Sequence, residues 1–135
     1  MLLKGDVGLK RRLAALRERA EDVDRALLKA GLLIAAQAQR NVTGGGRSTT
    51  MLNVRTGRLR RSIVAVPDGQ HRVSIGTNVE YAAIHEFGGM AGRNRSVRLR
   101  MRTYLRKAYR SERRGALELV RDFYTGPLRF GGSFA

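Results

Sequence analysis

The 135 residues suit one domain with a buried core, and 42% of them are hydrophobic, enough to fold it. The formal charge of +16 comes from 27 basic and 11 acidic side chains, and it points either to a surface that meets nucleic acid or to a charge neutralised by an acidic protein neighbour. With no cysteine and two histidines, the chain excludes disulfides, Cys-ligated zinc and thiol nucleophiles and leaves no histidine-rich metal site. No stretch approaches eighteen apolar residues, so a soluble protein without membrane association is expected.

In chain order, Leu9, Leu13, Leu16, Ala20, Val23, Leu27, Ala30 and Ile34 alternate steps of four and three. That spacing predicts a long helix over about residues 9–39 with one apolar stripe. It also fits a coiled coil, but the preferred reading is a helix laid across a sheet and contributing to an oligomeric contact, with Leu28 and Leu32 widening the face. Gly31 inside the pattern marks either a bend or the close approach of a neighbour. Glu18, Glu21, Asp22 and Asp24 form the helix's acidic patch, which beside a basic body suggests head-to-tail complementarity in a ring or stack.

Residues 41–51, with three consecutive glycines and small hydroxyl residues, read as a flexible loop. Arg47 stands where a P-loop needs lysine, and a helix precedes it instead of a strand. Thr56 is placed to cap one helical turn, and residues 63–75 read as a β-hairpin around Pro67-Asp68-Gly69. Thr77 and Glu80 have the spacing of a capping box, predicting a helix of about three turns with Tyr81, Ile84 and Phe87 on its apolar face and Gly88 at its end.

Residues 90–96 read as a loop, followed by a strand in which Val97, Leu99 and Met101 alternate with Arg98, Arg100 and Arg102. Those arginines serve either as a guard against edge pairing or as a face toward a polyanion. A second helix is expected from Thr103, its cap, to about Tyr124, with Arg106, Lys107, Arg110, Arg113 and Arg114 on its exposed side. Beyond Gly126-Pro127, Leu128, Phe130 and Phe134 would either be disordered or dock on a neighbour. His85-Glu86 opens a zinc-helix motif that Gly89 leaves without its second histidine, and no nucleophile or oxyanion donor accompanies it. Neither catalysis nor a cofactor is expected.

TGRLRRSI at residues 56–63, followed by VSIGTNVEYAAIHEFGG at residues 73–89, resembles the phage virion morphogenesis family. That family includes the tail completion proteins of P2-like and Mu-like phages and is similar to the lambdoid neck and tail-completion family. The resemblance spans residues 56–109 and maps an assembly motif onto Gly57, Leu59, Arg60, Tyr81, His85, Glu86, Gly88 and Gly89. Two prolines usual in the family before its last helix are missing here, although Arg102, Tyr104 and Leu105 match. The resemblance implies an α+β fold, with long N- and C-terminal helices packed on a small, mainly antiparallel sheet and a short helix after the hairpin. Residues 1–126 would form one domain with a flexible loop at 41–55, and 127–135 a tail. It further implies a homo-oligomer, expected as a hexameric ring, that assembles in the host cytoplasm. In the virion the ring would sit at the head-tail junction between head-connector and tail-tube proteins. Arg98, Arg100, Arg102, Arg106 and Arg110 would contact packaged DNA or an acidic partner, and the runner-up function is sequence-independent DNA binding.

Overall fold

A computed structural model describes residues 6–43 and 56–125. Helix α1 spans Asp6–Thr43, α2 Arg58–Ser62, strands β1 and β2 Val64–Pro67 and Val73–Gly76, and α3 Ala82–Phe87. Strand β3 (Gly89–Ala91), a 3-10 turn (Arg93–Arg95), β4 (Val97–Leu99) and helix α4 (Leu105–Thr125) complete the described chain. The expected α+β architecture is present, with its strands divided into two antiparallel pairs, β1 with β2 and β3 with β4.

Helix α1 is the spine. Its buried stripe, Ala26, Ala30, Ile34, Ala38 and Val42, advances by one helical turn at each step and is mostly alanine. Small side chains let two elements approach closely. On one side Gly31 meets the β1–β2 hairpin, where an added Cβ would lie 2.7 Å from Val73 Cγ1 and 3.2 Å from the Ala65 Cβ. Of the two readings of that glycine, close approach is the one observed. On another side α4 contributes Ala108 and Ala116, both buried, and Gly115, whose absent Cβ would stand 3.6 Å from Leu33. Ile63, 1% exposed, plugs the junction of α2, hairpin and helices; burying such a side chain stabilises by about 1.5–3 kcal/mol.

Several local expectations are corrected. Asn41, Val42 and Thr43 extend α1 instead of starting a loop, and Asn41 and Val42 are buried; the glycine tract after them lies outside the described residues, as does the C-terminal tail. The Thr77–Glu80 capping box does not form. Thr77 Oγ1 instead accepts from the Val79 N–H and bonds the Ser62 hydroxyl, so the chain turns through residues 77–81 and α3 begins only at Ala82. Nor is Tyr81, Ile84, Phe87 the buried face. Tyr81 and Phe87 are exposed, and α3 buries Ala82 and Glu86.

Residues 90–96 are not one loop but a strand, β3, and a 3-10 turn. Its partner β4 stops at Leu99, and Val97 and Met101 remain exposed because nothing in the described chain covers that face. The acidic patch is partly engaged within the chain: Asp24 Oδ1 accepts from the His71 backbone N–H at 3.0 Å and stands 2.9 Å from its Nδ1, tying the hairpin tip to α1. The apolar stripe of α1 divides in two. Its C-terminal half is core, whereas Leu9, Leu13 and Leu16 are at least half exposed, Leu16 at 60%. Leu32, expected to widen the packed face, is exposed as well.

Candidate assembly surface

The motif residues gather into two structural knots. In the first, Gly57 takes φ 69°, a left-handed conformation that lets its carbonyl accept from the Arg61 N–H at 3.0 Å and opens α2. Leu59 is buried on the core side of that turn, while Arg60 points to solvent. Gln39 on α1 donates to the Ile63 carbonyl at 2.9 Å, fastening the end of α2 to the spine.

The second knot joins α3, β3 and the start of α4. Gly88 has φ 73°, and a Cβ there would lie 2.9 Å from the Met101 backbone nitrogen. Gly89, with φ 147°, starts β3. Glu86 is 6% exposed, and its two carboxylate oxygens accept from the backbone N–H groups of Leu105 and Arg106, each at 3.0 Å. Those are among the N–H groups that the first turn of a helix leaves without intrahelical partners. Glu86 therefore takes the capping role expected of Thr103, and its charge sits at the positive end of the α4 dipole.

His85 is half-buried. Its backbone carbonyl accepts from the Arg102 N–H at 2.8 Å, and its ring meets that of the exposed Tyr81 edge-on at 5.8 Å. Burial, and then the Arg102 charge, hold the His85 imidazole below its usual pKa. Tyr104, buried at the head of α4, is pushed up to about 12 by burial and then by the Glu86 charge. Its carbonyl accepts from the Asn41 side-chain amide at 2.9 Å, and Gln37 donates to the Asn41 carbonyl oxygen at 3.0 Å. Asn41 escaped the sequence reading, which counted it in a loop. Its place on the same helical stripe as Ile34 and Ala38 was the signal that it faces the core.

Of the candidate arginines, Arg98, Arg100, Arg106 and Arg110 are exposed and Arg102 is half-buried. They do not form one row. Arg98 and Arg100 belong to the β3–β4 arm, Arg106 lies over the Phe87 ring at 5.5 Å, and Arg110 is a turn further along α4. An apolar groove of about 610 Å³ opens beside Arg106, lined among others by Ile75, Val79, Ala83, Phe87, Leu105 and Tyr109. Among the described residues no cluster of His, Asp or Glu could hold a metal ion, and no helix is long and apolar enough to cross a membrane. The surface offers apolar and cationic contacts.

Residues 8–88 match the family model described as "Bacteriophage HK97-gp10, putative tail-component". Over 102 residues the chain is 34% identical to the Mu-like prophage FluMu G protein 2 of Haemophilus influenzae, a match covering 70% of this chain and 72% of that protein. No solved structure matches.

Proposed function

This chain belongs to the HK97-gp10-like family of bacteriophage tail components, and on that premise we propose that it completes the tail and joins it to the head, as a hexameric ring around the DNA path in the virion neck. It is a structural protein and not an enzyme. Its neighbours in this reading are head-connector and tail-tube proteins, and the ring assembles in the host cytoplasm before incorporation.

The observation that carries the reading is the unfinished surface of α1. Leu9, Leu13 and Leu16 recur along one face at steps of four and three and stay exposed, though the same stripe is core further along. A free subunit gains nothing from that stripe, whereas a subunit that repeats around a ring buries it. The motif residues then divide by role. Gly57, Leu59, Glu86, Gly88 and Gly89 shape the subunit, and Arg60, Tyr81 and His85 are left at or near the surface for contacts between subunits. In this reading the described residues, 6–43 and 56–125, act as one body.

The test uses a phage or prophage that encodes this chain. Leu13→Gln/Leu16→Gln subunits, folded by circular dichroism, should yield separate heads and tails in electron micrographs, and the wild-type assembly should have the mass of six copies. Joined particles from the double variant would sink the reading.

A further inference from the structure

Between Glu86 and Glu112 the chain has no carboxylate side chain and eight cationic ones. Four of these, Arg93, Arg95, Arg98 and Arg100, lie on or directly beside the arm formed by β3, the 3-10 turn and β4. All four are exposed, and among the described residues none has a carboxylate partner. Glu86, the acid that precedes them in the chain, is committed to the α4 cap: both of its oxygens accept from the first N–H groups of that helix, and its side chain is buried.

The arm also has the form of a duplex contact. It is a two-stranded antiparallel ribbon, registered Gly89 with Leu99, Met90 with Arg98 and Ala91 with Val97, and the major groove of B-form DNA, flanked by its phosphates, admits a ribbon of this kind. Its tip holds Asn94 and Arg95 at φ 62° and 52°, a tight reversal that places Arg93 and Arg95 at the end of the arm. Arginine forks match phosphate oxygens. No aromatic residue lies between Gly88 and Thr103, so the arm has no platform on which to stack unpaired bases.

We propose that the β3–β4 arm is a sequence-independent clamp for the phosphate backbone of duplex DNA, with Arg93, Arg95, Arg98 and Arg100 as its contacts. The proposal deepens the neck reading by naming the side of the subunit turned to the DNA, and rests on it only for the location of that DNA. Arg106 and Arg110 fall outside the clamp, one stacked on Phe87 and the other on the outer side of α4.

Fluorescence anisotropy of the full chain with a labelled 30-base-pair duplex, between 50 and 300 mM salt, tests the clamp. The quadruple variant Arg93→Gln, Arg95→Asn, Arg98→Gln, Arg100→Gln should lose at least tenfold in affinity and reduce the slope of log K against log salt by about 3 to 4, one unit per phosphate lost. The helix variant Arg110→Gln, Arg113→Gln, Arg114→Gln removes three charges elsewhere and should lose less than threefold. Equal losses in the two variants, or no binding by the wild type, would overturn the proposal. So would competition by polyglutamate as effective, per charge, as by unlabelled duplex, an outcome that assigns the arm to an acidic protein. These isotherms need no particle, so failure of head-tail joining as a function would leave them unchanged.

Discussion

Glu86 Oε2 lies 3.0 Å from the backbone nitrogen of Leu105, so a carboxylate on one helix caps another nineteen residues further along the chain. The second oxygen makes the equivalent bond to Arg106. Capping of this kind contributes about 1–2 kcal/mol, and burial raises the cost of leaving the N–H groups unpaired. Glu86→Ala should therefore destabilise the subunit by about 2–3 kcal/mol in urea denaturation, while Glu86→Gln, which keeps one oxygen acceptor, should cost roughly half as much. A change below 0.5 kcal/mol in both would show that the cap is replaceable by water.

Gly31 is the contact point between α1 and the hairpin. Alanine is favoured over glycine in a helix by about 1 kcal/mol, so propensity alone predicts stabilisation from Gly31→Ala. The 2.7 Å approach to Val73 Cγ1 and the 3.2 Å approach to the Ala65 Cβ predict the reverse, since valine is stiff and the alanine Cβ is tied to its backbone. Overpacking costs about 1–3 kcal/mol, and the net expectation is a lower denaturation midpoint. The double variant Gly31→Ala/Val73→Ala should recover part of it.

Gly88 faces a harder boundary. Any side chain there must adopt φ 73° and displace the backbone around Met101, at 2.9 Å from its nitrogen. Gly88→Ala should cost more than Gly31→Ala, because the neighbour is main chain, and should loosen the start of α4 specifically. Hydrogen exchange at residues 102–106 faster than in the remainder of α4 would register that.

His85 supplies a pH dependence of defined sign. Its folded pKa lies below the unfolded value of 6.5, through burial first and the Arg102 charge second. The unfolded chain thus binds more protons in that window, and stability from this group is complete above 6.5 and declines as pH falls toward the folded pKa. His85→Gln should flatten the wild-type loss of stability between pH 7.5 and 5, measured as the difference in urea midpoints. An unchanged slope would mean that the imidazole is as well solvated folded as unfolded.

Asn41 marks the border of what local pattern reveals. Its amide joins Tyr104 to Gln37, across 63 residues on one side and 4 on the other. Asn41→Ala should cost about 1–3 kcal/mol by stranding a buried carbonyl, read as a lower midpoint in thermal unfolding. From sequence, asparagine before a glycine tract resembles a helix end; the stripe through Ile34 and Ala38 gives its direction, and the packing of α4 supplies its partner.

Periodicity and turn chemistry suffice for the elements themselves. The long apolar repeat specifies α1, and the Leu105 to Phe123 spacing specifies α4; the turn signal at Pro67-Asp68-Gly69 finds the hairpin but is shifted, since Pro67 ends β1 paired with Val73 and the tip runs from Asp68 to Arg72. These signals work because each depends on residues a few positions apart. The Thr77–Glu80 pair failed for the complementary reason: a hydroxyl can bond any nearby donor, and Ser62, fifteen residues away, offered a partner that no local rule contains.

The sequence by itself determined the charge, the absence of thiol chemistry, and the glycines at Gly69 and Gly88 that turn the chain. Tertiary structure decided which half of one uniform leucine and alanine stripe became core, and it did so by the reach of α4 and the hairpin. It decided too that His85-Glu86, adjacent in the chain, would part in function. Successive positions on a helix point about 100° apart, so Glu86 turns inward to cap α4 while His85 stays near the surface beside Tyr81. Which carboxylate met which helix end was settled by packing across nineteen residues, a distance over which side-chain pattern carries no information.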